Sequence, residues 1–236
     1  MYGRYGYYGM DPTYILVLIG ALLCIIAQSR VSSTYRKFAR VMSRSGLTGA
    51  QAAQRILQMS GIYDVRVEHV SGTLTDHYDP SSKVLRLSDA TYGSPSVAAI
   101  GVAAHECGHA LQHEKGYAPL QIRTALVPFA NFGSRAGFPI ILVGALLGMN
   151  QILIQIGIWV FALAVLFQIV TLPVEFDASS RALRMLGDYG LMGRDETGSC
   201  RKVLSAAALT YVAAAATSIL QLIRLILLFG GGRRRD

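Results

Sequence analysis

Apolar residues in this chain fall into long uninterrupted runs rather than short alternating ones. Pro12 through Ser29 carries no charge, which is long enough to cross a bilayer as one helix. A second apolar region runs from Phe138 to Met149 and from Ile152 to Leu172, parted only by Asn150-Gln151. That pattern predicts a helical hairpin of two spans over 137–172. Val203 to Phe229 forms a further apolar helix, interrupted by Arg224 and followed by the basic tail 230–236. A Gly- and Tyr-rich tail, 1–11, precedes the first span.

Between these runs the polar pattern is that of a small water-facing region over 30–136. Thr48 precedes GAQAAQRILQM, a capped short helix ending near Gly61. Val65 to Val70 alternates with period two, as a half-buried strand does. Thr75 to Lys83, with Asp79-Pro80, reads as a turn, and Val84 to Leu87 as a second strand. Ser94-Pro95 places a cap and a first-turn proline before a helix over 95–114. Residues 173–202 are charged again and begin with a helix near Pro173. The fold class expected is a mainly α-helical multi-pass membrane protein, with a small β-hairpin or sheet beside the 95–114 helix. No internal repeat is visible.

Composition supports that class. Of 236 residues, 52% are hydrophobic and 15% charged, against roughly 25% charged in an ordinary soluble domain. A disordered chain needs the opposite balance. The net charge of +8 comes from cations dispersed around the spans rather than from a nucleic-acid-binding patch, so the partners expected are a lipid bilayer and a polypeptide. Cys24, Cys107 and Cys200 are too few and scattered for a disulfide framework.

Arg30, Arg36, Lys37, Arg40 and Arg44 follow the first span closely, which marks the cytoplasmic side. Only Arg4 precedes the span, so a retained anchor is expected, not a cleaved leader. One conflict stays open. A fourth full span would carry Arg233, Arg234 and Arg235 to the opposite side, so either the last helix stops short or the earlier spans override the tail.

The chemistry lies in His105-Glu106-Cys107-Gly108-His109. Two histidines four apart share one helical face and can converge on one zinc ion, with the intervening glutamate placed to act on water. With five His and five Glu in 236 residues, chance yields this pattern at roughly 0.002 per chain. His113 lies about 12 Å along the axis from His105, too far to share an ion with it. His69 and His77 lie in the strand and turn region with nothing to orient them.

A catalytic site needs a third ligand, and Glu175 and Asp177 are the candidates. Glu175 shares a face with Ala178, Ser179 and Ala182, small residues that admit a second helix, as Gly108 does on the other side. Asp177 shares its face with Arg181, which explains it as an ion pair. Glu175 is therefore the better choice. Tyr211 and Arg181 are candidate donors to an oxyanion, and an exposed strand edge at Val65–Val70 or Val84–Leu87 is a place for an extended peptide.

Four segments carry a family resemblance: Asp11-Pro-Thr-Tyr14, Leu74-Thr-Asp-His-Tyr-Asp-Pro80, Ala104-His-Glu-Cys-Gly-His-Ala110 and Pro173-Val-Glu-Phe-Asp-Ala-Ser179. The chain resembles the YugP-like family of bacterial membrane-bound neutral zinc metallopeptidases over most of its length. More distantly it is similar to the HtpX and CAAX-protease type of membrane zincin. The resemblance implies a zincin-like site in a plasma-membrane protein, with His105, His109 and Glu175 as zinc ligands and Glu106 as general base. At Ser179 the chain departs from the distant group, which has Asp there to support a ligand histidine. The function expected is hydrolysis of peptide bonds in membrane or membrane-proximal proteins on the cytoplasmic side. The competing expectation is a non-enzymatic membrane protein with a structural metal, for which Glu106 would have no use.

Overall fold

A computed structural model describes residues 11–230; the two tails, apart from Asp11 and Gly230, lie outside the described residues. Six helices and three strands follow in order: α1 (Tyr14–Phe38), α2 (Gly49–Met59), β1 (Arg66–Val70), β2 (His77–Asp79), β3 (Val84–Ser88), α3 (Val97–Glu114), α4 (Ala118–Leu146), α5 (Gln151–Asp188) and α6 (Arg194–Phe229). The protein is a mainly helical membrane protein, and α1, α4, α5 and α6 are each long and apolar enough to cross a bilayer.

Local chemistry sets the ends of these elements. Thr48 and Gln51 form a reciprocal capping box at the start of α2. Ser96 caps α3 through the Ala99 amide, 3.2 Å, so α3 begins at Val97, two residues later than the Ser94-Pro95 signal implied. Asn150 caps α5 by accepting from the amides of Ile152 and Leu153. The α4–α5 turn passes through left-handed Gly148 and Met149.

The helices outrun their apolar runs. α4 starts at Ala118, inside the stretch expected to face water, because Arg123, Arg135 and the internal Pro128 and Pro139 break the apolar run without breaking the helix. α5 continues through Pro173, so the second arm of the helical hairpin and the segment bearing Glu175 are one helix. α6 begins at Arg194 because its first turns are amphipathic, burying Cys200, Val203 and Leu204.

The sheet also differs from expectation. Its order is β1-β3-β2, with β1 parallel and β2 antiparallel to β3. The segment read as a turn is long enough to hold β2, and β2 takes the edge. Val84–Leu87 is therefore the buried centre of the sheet and not an exposed edge. Asp79 closes the β2–β3 turn, accepting from the amides of Ser81 and Ser82 and from the Ser82 hydroxyl.

The main core joins this region to the ends of the long helices: Ile56 from α2, Leu85 and Leu87 from β3, Ile100 from α3, and Leu186 and Leu204 from α5 and α6. Burying each such side chain contributes about 1.5–3 kcal/mol. A smaller cluster of Phe38, Ala98 and Val203 ties in α1. The long helices pair differently. In the α4–α5 hairpin, Gly137 and Gly157 bring backbones together, as small residues do where lipid supplies no hydrophobic drive. α1 and α6 run antiparallel, with the Thr217 hydroxyl on the Gly20 carbonyl, 3.1 Å, and Arg224 meeting Asp11 and the Tyr14 ring. α6 thus reaches back to the start of α1, and its far end lies at the end of the bundle opposite α3.

Candidate metal centre

α3 is buried between α2, α5 and α6, and close helix contact puts its histidines next to α5. A Cβ on Gly108 would lie 2.5 Å from the Ala178 carbonyl oxygen, so any larger residue would push α3 and α5 apart. One turn before Ala178 stands Glu175, facing His105 and His109. The two imidazole rings are edge-on at 4.7 Å between centroids. Glu175 Oε2 lies 3.3 Å from His105 Nε2 and 3.6 Å from His109 Nε2. One ligand atom from each of the three residues falls within 4.8 Å of the others.

Each histidine is held by its other nitrogen. The Gln112 amide NH2 donates to the Val174 carbonyl and to Asp177 Oδ2, both at 2.8 Å. Its oxygen is thereby turned to His109 Nδ1, at 3.0 Å, and because that oxygen only accepts, Nδ1 carries the proton. Nε2 then presents a lone pair to the centre. The Ser179 hydroxyl sits 3.2 Å from His105 Nδ1, so the residue that departs from the distant pattern still orients that histidine, without a second carboxylate.

The donor set fits a zinc ion. Two imidazole nitrogens and one carboxylate oxygen are its usual protein ligands in a site with an open position. Glu175 is only 2% exposed, and its Oε2 has no hydrogen-bond partner. A buried carboxylate oxygen left without a hydrogen bond is costly unless a cation faces it; apart from the two imidazoles themselves, the basic side chain paired with Glu175 is Arg123, 3.9 Å from the other oxygen. His109 is pulled both ways: burial works against its charged form, while the Glu175 and Glu106 carboxylates favour it and hold its pKa above the ordinary value.

Glu106 is 8% exposed and lines two cavities that meet at the centre. One, about 330 Å³, is bounded by α1, α3 and α6. The other, about 190 Å³, lies between β2 and α4. Tyr211 and Glu175 line both. Arg181 is not brought there: its guanidinium pairs with Asp177 at 2.5 Å and stacks over Tyr117, so its expected role as an oxyanion donor is corrected. Asp177 is bonded to Arg181 and Gln112, away from the other ligand atoms.

The remaining histidines are placed elsewhere. His113 bonds the Tyr78 hydroxyl, His69 pairs with Asp89, and His77 bonds the Thr75 carbonyl. Cys107 is fully buried, which pushes its thiol pKa well up and makes it an inert packing residue. Cys200 is also buried, and Cys24 is exposed on α1; all three are free.

Sequence reasoning overlooked two residues. Gln112 sits one turn after His109 in the helix expected over 95–114, and its i+3 spacing was the available signal. Arg123 lay in a segment read as water-facing, so nothing directed it toward the centre.

Residues 13–230 match the protein family described as "Putative neutral zinc metallopeptidase". The chain is 48% identical over 221 residues to a Bacillus subtilis (strain 168) protein described as "Putative membrane protease YugP", covering 93% of this chain and 98% of that one. No solved structure matches. A family match that takes in all six helices and the sheet leaves no part of the fold outside it, and the chain belongs to the family described as putative neutral zinc metallopeptidases.

Proposed function

We propose that the protein is a membrane-embedded zinc endopeptidase that cleaves membrane or membrane-proximal polypeptides. The observation that carries the reading is the convergence of His105, His109 and Glu175 within 4.8 Å beside a second, cavity-facing carboxylate, Glu106. A purely structural metal needs neither Glu106 nor the cavities. The chemistry a bound zinc supplies is Lewis acidity toward a water and a scissile carbonyl.

The residues then divide the work. His105, His109 and Glu175 hold the ion. Glu106 takes a proton from the attacking water and passes it to the leaving amine nitrogen. Tyr211 and Arg123, which line the same 190 Å³ cavity, donate to the carbonyl oxygen as it gains charge. β2, an edge strand on that cavity, pairs with an extended substrate backbone.

Because α5 carries both a lipid-facing span and Glu175, the substrate bond is brought to the site close to the bilayer. The cations that follow α1 set the site on the cytoplasmic face of a bacterial plasma membrane.

The test compares membranes containing wild-type protein with membranes containing Glu106→Gln, which keeps all three proposed ligands. Proteomics should find cleavage products in the first only, with the rate reduced about 10²- to 10⁴-fold in the variant and bound zinc unchanged. Identical product sets would overturn the reading.

A further inference from the structure

The two cavities that meet at Glu106 are unlike each other, and the difference bears on which substrates fit. Asp76, Glu106, Glu175 and Tyr211 line both; beyond them the smaller one is polar, lined by His77, His109, Arg123 and Thr124 among others. Away from those shared residues, the wall of the larger is mostly apolar: Val31 from α1, Val102 from α3, and Leu204, Ala207 and Ala208 from α6, with Gln28, Ser179 and Thr210 between them. Its remaining side is closed by Leu74, in the loop between β1 and β2.

Leu74 is held there against its own preference. It has φ +59°, in the left-handed region that leucine rarely enters, and it is 45% exposed. Both flanks of the loop are tied down. Asp89 accepts from the Gly72 amide and returns its own amide to the Gly72 carbonyl. Asp76 accepts from the amide and hydroxyl of Ser88. An unfavourable backbone conformation over-determined by its surroundings is a mark of a functional position, and here it holds an apolar side chain at the rim of an apolar cavity.

We infer that the α1–α6 cavity is the specificity pocket of this site and takes a large apolar side chain, leucine- or phenylalanine-sized, from the residue flanking the scissile bond. The inference rests on the peptidase reading above. The occupant follows from continuity with the centre, since His105, Glu106 and Glu175 form the cavity's inner end. At about 330 Å³ the space exceeds the needs of a methyl group, and its α6 wall is kept open by alanines. Because Val31 and Gln28 belong to the first membrane helix, that anchor is also part of the substrate-binding wall. Polar residues on the other flank face β2 and α4, so the preferred substrate changes from apolar to polar across the cleaved bond.

The test uses purified full-length protein in nanodiscs with zinc, and extended peptides in which each residue flanking the cleaved bond is varied among Gly, Ala, Leu and Phe. On one flank only, wild-type protein should favour Leu or Phe over Gly by about tenfold or more, the lower end of what one methylene discriminates in an apolar pocket. Ala207→Phe, which fills the pocket from α6, should reverse that preference and leave the other flank unaltered. Val31→Ala widens the same pocket from α1 and should raise Phe relative to Leu, giving a second readout if the larger residue disturbs folding.

A wild-type enzyme with no size preference on either flank, or a preference unmoved by both variants, would overturn the pocket. Equal cleavage by Glu106→Gln protein would instead overturn the peptidase reading.

Discussion

In the water-side core, Ile56, Leu85, Leu87 and Ile100 have no exposed surface, whereas on the long helices Ile25, Ile152 and Trp159 remain 66%, 71% and 75% exposed. The same residue types do opposite jobs. In the core they leave water for protein, and in the bundle they leave water for lipid, so helix pairing there rests on close backbone contact at glycines. The candidate metal centre lies where the two regimes join, with its histidines on a core helix and Glu175 on a helix that continues into the bundle. The difference teaches that the bundle contributes chemistry as well as attachment.

Removing the bundle's ligand breaks that link most severely. Glu175→Ala should lose bound zinc by elemental analysis and at least 10² of any peptidase rate, while the core helices keep their far-UV signal. Retained zinc would place the third ligand elsewhere.

Glycine substitutions separate the two regimes. Gly108→Ala forces a Cβ to 2.5 Å from the Ala178 backbone oxygen, and overpacking of this kind costs about 1–3 kcal/mol. It should lower both thermal stability and zinc content. Gly157→Ala meets Ile141 and the Gly137 carbonyl inside the hairpin and should lower stability while leaving zinc bound. Gly187→Ala, with open space around its Cβ, should be neutral or stabilising by up to about 1 kcal/mol.

A finer probe lies within the centre. Gln112→Ala removes the acceptor that fixes His109 and should weaken zinc binding about 10- to 100-fold in competition with a chelator. Ser179→Ala should cost less, because Gln112 also ties α3 to Val174 and Asp177 and Ser179 makes one contact, to His105.

The smallest effect belongs to the exposed β2–β3 turn. The Ser82 hydroxyl and the turn amides bring the Asp79 pKa down to about 2. A depressed folded-state pKa stabilises above the ordinary carboxylate value near 4 and is lost as pH falls toward 2. Melting temperature followed between pH 5 and pH 2 should fall slightly less steeply for Asp79→Asn. Solvent screening keeps the difference small.

Long-range pairing accounts for what was hard to see in the chain. The β1-β3-β2 order places a strand where turn residues cluster, because a three-residue strand is too short to show a period. Arg123 reached the centre only through the α4–α5 hairpin, whose start was hidden by the arginines and prolines that lower its hydrophobicity. Gln112 needed a partner 65 residues away, Asp177, before its role existed.

The sequence by itself determined the membrane class, the His105-Glu106-Cys107-Gly108-His109 motif of α3, and the preference for Glu175 over Asp177 as the partner of its histidines. Each depends on spacing along one helix or on the length of one apolar run, and both are properties of adjacent residues. Only the tertiary structure decided that α5 is unbroken through Pro173, that Ser179 and Gln112 divide the support of the two histidines, that Arg181 turns away to Asp177, and that the first membrane helix walls a cavity at the centre. Those outcomes depend on which helices pack together and how closely. Gly108, Ala178 and the glycines of the hairpin set that distance, and their effect exists only once the helices have met.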